Sequence, residues 1–286
     1  MYYLGYDIGG SSLKGVLVKN REVIRSEVHK LPGSFKALLS LAKKTKNSLY
    51  KDKPLGELKG IGFSFAGAMD RERKKMLVST NIPFLNNQPL EKEIEKVFSP
   101  KPIMIAHDID CFLTAEKTVG MAKELENAFY LAIGTGIGGA LMINRKIIEG
   151  EHGSLGEVGG MIIDCENKVR FENVAANKYI KEQLNGQSFN EAYNFALEGD
   201  KNAKKVFGII GKNLGIGISN IINILDPGTV ILSGGITVAK DLISANLGKG
   251  IKRYVISPKA KKTKILYSNL GRFGGALGAA LLFENK

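Results

Sequence analysis

The feature that most constrains the fold is a unit of strand, glycine-rich turn and strand that occurs twice. Tyr2–Ile8 is a short apolar stretch that predicts a strand, and Gly-Gly-Ser-Ser at positions 9–12 predicts a sharp turn. Leu13–Val18 then predicts a second strand. The same order returns between positions 128 and 143, around a second glycine-rich turn. Two such units in one chain predict two related halves.

Strands and helices alternate along the rest of the chain, and no change in composition marks a linker. Further predicted strands are Val23–Val28, Gly60–Phe65, Pro102–Ala106 and Thr229–Leu232. Predicted helices are one that starts at Ser34, Ile109–Gly120, a helical region from about 172 to 225, and the small-residue segment Gly274–Phe283. This order predicts an α/β protein.

Several classes of protein are disfavoured by what the sequence lacks. No apolar stretch reaches the roughly 20 residues that a membrane-spanning helix needs, and the N-terminus has no signal-peptide pattern. Two distant cysteines, Cys111 and Cys165, do not form a disulfide framework. We therefore expect a cytoplasmic protein with no membrane partner.

The formal net charge of +13 raises the question of nucleic-acid binding. The basic residues are mostly lysines scattered along the chain, and no recognition helix or RNA-binding aromatic pattern accompanies them. We therefore expect a solvated basic surface and no nucleic-acid partner.

Both glycine-rich turns have the chemistry of a phosphate site. Backbone N–H groups converge on a phosphate most easily where no side chain intervenes, and segments 7–12 and 134–139 offer that arrangement. Asp7 adds a carboxylate that could hold Mg²⁺, directly or through its waters, and Thr135 adds a hydroxyl donor. Each turn taken alone is equally compatible with an ordinary β-turn. Neither fits the Rossmann or P-loop pattern, because a strand follows each turn where those motifs have a helix.

Five segments, in order, resemble the motifs of a known family. Segment 4–12 (LGYDIGGSS) is similar to the first phosphate motif of the actin, hexokinase and Hsp70 superfamily, and segment 132–139 (AIGTGIGG) to its second, in the form found in ROK sugar kinases. Segment 231–236 (ILSGGI) resembles the adenosine motif, and segments 81–84 (NIPF) and 156–159 (GEVG) resemble further ROK signatures. The resemblance covers nearly the whole chain.

The resemblance implies an ATP-dependent kinase that phosphorylates a hexose, with ATP and Mg²⁺ as cofactors. It implies two actin-like (ribonuclease H-like) α/β domains flanking an active-site cleft, with boundaries near 1–107 plus 273–286 and 108–272. The nucleotide-binding residues would be Asp7, Gly9, Gly10, Ser11, Ser12, Lys14, Gly134, Thr135, Gly136, Gly138, Gly139, Gly234 and Gly235. A homodimer is compatible with the resemblance.

The catalytic base implied by the resemblance is Asp108, which follows His107 at the end of a predicted strand. The alternative role of Asp108 is the N-cap of the helix that follows. The resemblance further implies sugar contacts from Gly67, Asn81, His107, Asp108, Glu157 and Glu172.

Two departures from the family pattern affect the expected site. The Asn that precedes the base is His107 in this chain, which leaves the identity of the sugar open. A sugar-contacting His is replaced by Gly160, and the zinc-binding cysteine cluster is reduced to Cys165. Because a structural zinc needs about four ligands, we expect no zinc.

The activity expected from these residues is glucokinase-like, converting glucose to glucose 6-phosphate. N-acetylmannosamine kinase, fructokinase and a non-catalytic sugar sensor are the alternatives. The chain starts directly on its first strand, so we expect no helix-turn-helix module of the kind found in ROK repressors.

Overall fold

The computed structural model describes residues 1–51 and 57–285. The chain divides into two compact units. The first comprises Met1–Leu125, Glu149–Leu155 and Leu270–Lys286, and the second comprises Glu126–Ile148 and Gly156–Asn269. Residues 52–56 and 286, which fall in the predicted first domain, lie outside the described residues.

The first unit is built on a five-stranded sheet with the order β3-β2-β1-β4-β7. Strand β2 pairs antiparallel with both β1 and β3. On the other side of β1, β4 pairs parallel with β1, and β7 pairs parallel with β4. A separate short hairpin is formed by β5 and β6. The bounds are β1 Tyr2–Ile8, β2 Ser12–Lys19, β3 Glu22–Lys30, β4 Leu58–Phe65, β5 Ala68–Met69, β6 Met76–Val78 and β7 Ile103–His107.

The second unit repeats this arrangement with the strand order β10-β9-β8-β13-β14. Its first three strands are again antiparallel, and its last two are again parallel to the central strand β8. A two-stranded sheet of β11 and β12 is added. The bounds are β8 Ala128–Ile133, β9 Ile137–Ile143, β10 Lys146–Ile147, β11 Ile162–Asp164, β12 Val169–Arg170, β13 Thr229–Ser233 and β14 Lys264–Tyr267.

The two sheets therefore share one topology, and the prediction of two related halves in an α/β protein is confirmed. In each unit the glycine-rich turn joins the central strand to its antiparallel neighbour, β1 to β2 and β8 to β9. The turns thus lie at the same place in both sheets, where the central parallel strand ends.

Helices complete both units. Those of the first unit are α1 Phe35–Leu49, α2 Leu90–Phe98, α3 Asp108–Val119 and α9 Gly274–Leu281. Those of the second are α4 Phe171–Ala175, α5 Asn177–Gln183, α6 Phe189–Leu197, α7 Lys201–Leu225 and α8 Lys240–Tyr254. Helix α1 starts where the sequence predicts, because the Ser34 side chain accepts a hydrogen bond from the backbone N–H of Ala37.

Helix α9 is buried along its whole length and consists of small residues apart from its two leucines. A Cβ at Gly278 would overlap the backbone carbonyl of Cys111, so α9 and α3 approach each other at backbone distance. A Cβ at Gly5 or Gly62 would likewise overlap the backbone of α9. Because of this packing α3 belongs to the first unit, whereas the predicted boundary at 107/108 assigns it to the second domain.

Helix α7 is the central helix of the second unit. Its buried positions, among them Phe207, Leu214 and Ile218, belong to the apolar core of that unit. Within the described residues it is the one helix whose length and composition would suit a membrane span, but half of its most apolar window is buried inside the protein. Its apolar composition is therefore that of a helix in the protein core.

Candidate active site

Asp108 stands where strand β7 ends and helix α3 begins. The helix N-cap is His107, which makes no side-chain cap hydrogen bond, and Asp108 is the first helical residue. One Asp108 oxygen, Oδ1, accepts a hydrogen bond from the backbone N–H of Ile109 at 2.9 Å and lies 3.3 Å from Nδ1 of His107. The carboxylate thus accepts one free helix N–H from the first helical position, whereas the cap alternative placed Asp108 at the N-cap, which is His107. The Asp108 side chain keeps 24% of its surface exposed.

The protonation of Asp108 is shifted by its surroundings. Burial raises the pKa of this carboxyl to about 6, and the nearby Asp7 carboxylate adds to the increase. His107 and the hydrogen bond from Ile109 act in the opposite direction. A carboxyl with a pKa near 6 is ionised at neutral pH and still basic enough to accept a proton from a hydroxyl group.

Asp7 is the second carboxylate of the first unit and is almost fully buried. Its Oδ2 pairs with Nζ of Lys14 at 2.7 Å, and its Oδ1 accepts a hydrogen bond from Oγ of Ser64 at 3.2 Å. The sheet explains both contacts, because Asp7 lies opposite Lys14 on β2 and opposite Ser64 on β4. Sequence reasoning did not assign a role to Ser64, although a parallel pairing of β1 with β4 would have placed it there.

The loop that carries Asn81 lies against the first glycine-rich turn. A Cβ on Gly10 would lie 3.0 Å from the Cβ of Asn81, so the loop and the turn approach each other closely. Gly67 has a φ of 139°, and a Cβ there would lie 2.7 Å from the carbonyl oxygen of Val78. Asn81, a predicted sugar contact, is therefore a neighbour of Gly10 in the predicted phosphate turn.

The second unit brings together the other two predicted nucleotide segments. Gly234, with a φ of 90°, follows β13, and a Cβ there would overlap the carbonyl oxygen of Ile133 at the end of β8. The turn at 134–139 starts at the next residue, and the backbone N–H of Asn177 donates to the carbonyl of Gly134 at 2.9 Å. Gly134 itself has open space where a Cβ would project, and Thr135 is exposed. The arrangement leaves the turn accessible to a ligand.

Glu157 and Glu172 both belong to this part of the second unit. Oε2 of Glu172 lies 2.7 Å from the position a Cβ would take on Gly136, and 3.2 Å from that on Gly159. Gly156, which precedes Glu157, is held by a hydrogen bond from the N–H of Gly139 to its carbonyl at 2.8 Å. The Glu172 side chain is half-buried and Glu157 is exposed, and both segments lie beside the second glycine-rich turn.

Within residues 1–51 and 57–285 no group of three or more His, Cys, Asp or Glu side chains is arranged to hold a metal ion. Cys165 is exposed, and Gly160 has no neighbour within 4 Å of its Cβ direction. The expected absence of zinc stays a prediction.

A cationic side chain that sequence reasoning did not single out contacts the same helix as Asp108. The guanidinium of Arg73, in the turn between β5 and β6, lies 3.0 Å from Oδ2 of Asp110 and 2.8 Å from Oε1 of Glu149. Burial raises the pKa of Asp110 and Arg73 opposes that increase. The neighbouring Arg71 pairs with Glu151 at 2.8 Å. The hairpin turn is thus tied to helix α3 and to segment 149–155.

The duplicated sheet, with a glycine-rich turn after each central strand, defines an α/β protein with two actin-like units. A comparison with the sequence profiles of known families identifies the family of this chain, because the profile of the ROK family matches residues 3–286. The chain belongs to the ROK family.

Relatives of the chain carry different names. It is 28% identical over 287 residues to an uncharacterized protein of Clostridium perfringens, covering 97% of this chain and 96% of the other. It is 28% identical to an N-acetyl-D-glucosamine kinase of Vibrio atlanticus, covering 99% of both chains. It is 29% identical to the xylose repressor of Bacillus subtilis, covering 77% of this chain and 59% of the repressor.

Solved structures have the same fold. A ROK glucokinase from Streptomyces griseus, crystallised with glucose and AMPPNP, superposes with a TM-score of 0.86 at 20% identity and full coverage of both chains. A ROK family transcriptional regulator superposes with a TM-score of 0.88 at 22% identity, covering 99% of this chain and 78% of the regulator. At these identities the likeness concerns the fold alone.

Proposed function

We propose that this protein transfers the γ-phosphoryl group of ATP to a hydroxyl of a hexose, with glucose as the first candidate. The observation that carries the proposal is the carboxyl of Asp108, which is partly exposed and has a pKa near 6 at the start of helix α3. Phosphoryl transfer needs little from a protein besides positioning, charge neutralisation and a base near the attacking hydroxyl. Asp108 has the properties of that base.

The two glycine-rich turns and the Gly234 segment are proposed to bind the nucleotide. Open space beside Gly9 and Gly134 leaves backbone N–H groups accessible to phosphate oxygens. Gly235, close to the Phe189 ring, would face the adenosine part. The AMPPNP complex of the Streptomyces griseus glucokinase supports ATP as the donor.

Asp7 fits the magnesium ion that accompanies ATP. Carboxylate oxygens are preferred Mg²⁺ ligands, and a single carboxylate suits an ion that keeps several waters and binds phosphate oxygens. Lys14 and Ser64 hold the Asp7 carboxylate in place from either side. The ion, when bound, would neutralise charge on the transferring phosphoryl group.

Sugar hydroxyls are proposed to bind to Asn81, His107 and Asp108, with the Gly67 turn beside them, and to Glu157 and Glu172. Carboxylates accept hydrogen bonds from hydroxyl groups, and the imidazole of His107 can either donate or accept one. His107 differs in length from the amide it replaces in the family pattern, so it is the residue that we expect to set sugar preference.

Because ATP and Mg²⁺ are the expected cofactors, we place the activity in the cytoplasm, with a homodimer as a compatible assembly.

The decisive experiment is a coupled ADP-release assay with MgATP and a panel of sugars. The panel contains glucose, fructose, mannose, N-acetylmannosamine and N-acetylglucosamine, the last because of the Vibrio atlanticus relative. We expect turnover with glucose above that with the others. Turnover above background with none of them would contradict the kinase proposal.

A non-catalytic sugar sensor is the second candidate, because a relative at 29% identity is a xylose repressor. Isothermal titration with each sugar, in the presence and absence of AMPPNP, distinguishes the two. Sugar binding without ADP release in the coupled assay would favour the sensor.

A further inference from the structure

The second unit carries a groove between helices α7 and α8. The two helices approach closely because Gly211 faces the backbone of Ile243 and Gly215 faces Leu247 and Gly250, at distances where a Cβ would be under 3 Å from backbone atoms. Beyond this crossing the helices leave a cavity of about 650 Å³.

The floor of this groove is apolar and its rim is cationic. Gly208, Ile209 and Gly250 form the floor, and the amide of Asn246 bridges the helices by donating to the carbonyl of Gly208 at 3.0 Å. The rim consists of the cationic side chains Lys201, Lys204, Lys205, Lys212, Lys249 and Arg253. The lining contains no acidic residue, and in the described part of the chain none of these six side chains takes part in an ion pair within 4.0 Å.

Six uncompensated cations around one groove repel each other, which costs stability unless an anionic partner or solvent ions offset it. The groove residues include none of those assigned above to the nucleotide or the sugar. The charge therefore has no role in the proposed phosphoryl transfer, although the rim holds six of the 41 Lys and Arg residues of the chain.

The shape of the groove favours a helical occupant. Lys201 and Lys212 lie eleven positions apart on α7, which separates them by about 17 Å along the helix axis. That length matches about three turns of a third helix packed along the pair. A helix with one apolar face and acidic flanks would place its apolar side chains over Gly208 and Ile209 and its carboxylates against the lysines.

Two other occupants fit less well. A strand of nucleic acid stacks successive bases on several aromatic rings, but the lining offers one ring, that of Tyr254, and the guanidinium of Arg253 lies 5.4 Å from its centroid. A second copy docking by the same face would bring two sets of six cations together.

We propose that the groove between α7 and α8 is a docking site for an acidic, amphipathic helix of a partner protein. The proposal stands apart from the proposed phosphoryl transfer, because its residues and its test are separate. An absence of kinase activity would therefore not contradict the proposed docking site.

The test uses the full-length protein and fluorescence anisotropy. The probe is a labelled helical peptide of about sixteen residues, with Leu at helix spacing on one face and Glu elsewhere, and its Lys counterpart serves as comparison. We expect the Glu peptide to bind and the Lys peptide not to bind. We also expect the affinity to fall as salt increases, because the rim contacts are electrostatic.

Two variants locate the binding to the groove. Replacing three rim cations (K204E, K205E and K249E together) should weaken Glu-peptide binding at least about tenfold. A matched variant with the same charge change at exposed positions outside the groove (K259E, K261E and K262E together) should change it less than about twofold. Gly208→Leu, which fills the floor without changing charge, should also weaken binding, and circular dichroism checks that each variant is folded.

Four results would overturn the proposal. The first is the absence of Glu-peptide binding to the folded wild-type protein, and the second is an equal loss of binding in both charge variants. The third is tighter binding of a single-stranded oligonucleotide or an inorganic polyphosphate at the same residues. The fourth is a homodimer that the groove variants dissociate. The first result would show that the docking site does not exist, and the second would show that binding depends on net charge alone. The last two would show that the groove binds another occupant.

Discussion

Nζ of Lys14 lies 2.7 Å from Oδ2 of Asp7, across the first hairpin of the first unit. The two residues are paired in the register of β1 and β2, so the hairpin fixes their separation. The Asp7 side chain is 5% exposed and that of Lys14 is 23% exposed. Lys14 therefore neutralises a carboxylate that water reaches poorly.

The first prediction concerns this ion pair. Lys14→Met leaves the buried Asp7 carboxylate without its cation, which we expect to lower the free energy of unfolding by about 2–3 kcal/mol. Urea denaturation followed by circular dichroism measures the change. The control is Lys30→Met on the neighbouring strand β3, where the side chain is exposed, with an expected change within about 0.5 kcal/mol. Equal stabilities of the two variants would contradict the role given to Lys14.

The second prediction concerns Asp108 as the base. Because a base must be ionised and the pKa of Asp108 is about 6, sugar-dependent turnover should fall as the pH drops through about 6. Asp108→Asn should reduce kcat at least about 100-fold while AMPPNP binding persists. Asp241→Asn, at an exposed position in the first turn of α8, should leave turnover unchanged. Turnover of Asp108→Asn equal to that of the wild type would remove Asp108 from the mechanism.

The sequence predicts the fold well where local pattern and tertiary structure agree. The central strands, the glycine-rich turns and the start of α1 follow from alternation, glycine and a serine cap, and all are confirmed. Helix α8 and strand β14 were not predicted, because the stretch from 240 to 267 has seven lysines among its 28 residues and carries a weak apolar period. Their place is decided by packing against α7 and pairing with β13, which are contacts between distant residues.

The candidate site shows the same limit. Asp7 and the glycine-rich turns are visible as motifs, because each is a contiguous segment. Ser64 and Arg73 were not assigned, since the partner of Ser64 lies 57 positions away and that of Arg73 lies 37 or more away. Parallel strand register and hairpin placement bring these side chains to Asp7 and Asp110, and neither is encoded in a local pattern.

The third prediction concerns Arg73, which lies between Asp110 and Glu149. Without the guanidinium, the pKa of Asp110, already raised by burial, should rise further, since Arg73 opposes that increase. Arg73→Met should therefore lower the free energy of unfolding by about 1–3 kcal/mol at pH 7.5. The loss should shrink as the pH falls, because Asp110 with its raised pKa takes up a proton and then no longer needs a cation.

Arg71→Met is the matched control for Arg73→Met. Arg71 belongs to the same hairpin turn, but it and Glu151 are about 70% exposed, so their pair should contribute less than about 0.5 kcal/mol. Urea denaturation of both variants at pH 5 and pH 7.5 gives the comparison. A loss for Arg73→Met that is equal at the two pH values would contradict the coupling to Asp110.

The fourth prediction is that the protein holds no structural zinc. The family cluster is reduced to Cys165, which is exposed, and about four ligands are needed at such a site. Metal analysis of protein purified without chelators should find zinc far below one equivalent. Treatment with EDTA should leave the melting temperature unchanged. Stoichiometric zinc would contradict the prediction.

The fifth prediction compares two glycines in helices. A Cβ at Gly278 of α9 would overlap the carbonyl of Cys111 on α3, so Gly278→Ala must separate two backbones that pack in the core of the first unit. We expect a loss of at least about 3 kcal/mol in the free energy of unfolding. At Gly248 of α8 nothing lies within 4 Å of the Cβ position. Gly248→Ala should instead stabilise the protein by about 0.5–1 kcal/mol, because alanine favours the helix. Thermal and urea denaturation of both variants measure the two effects, and a stabilising Gly278→Ala would show that α9 does not approach α3 as closely as described.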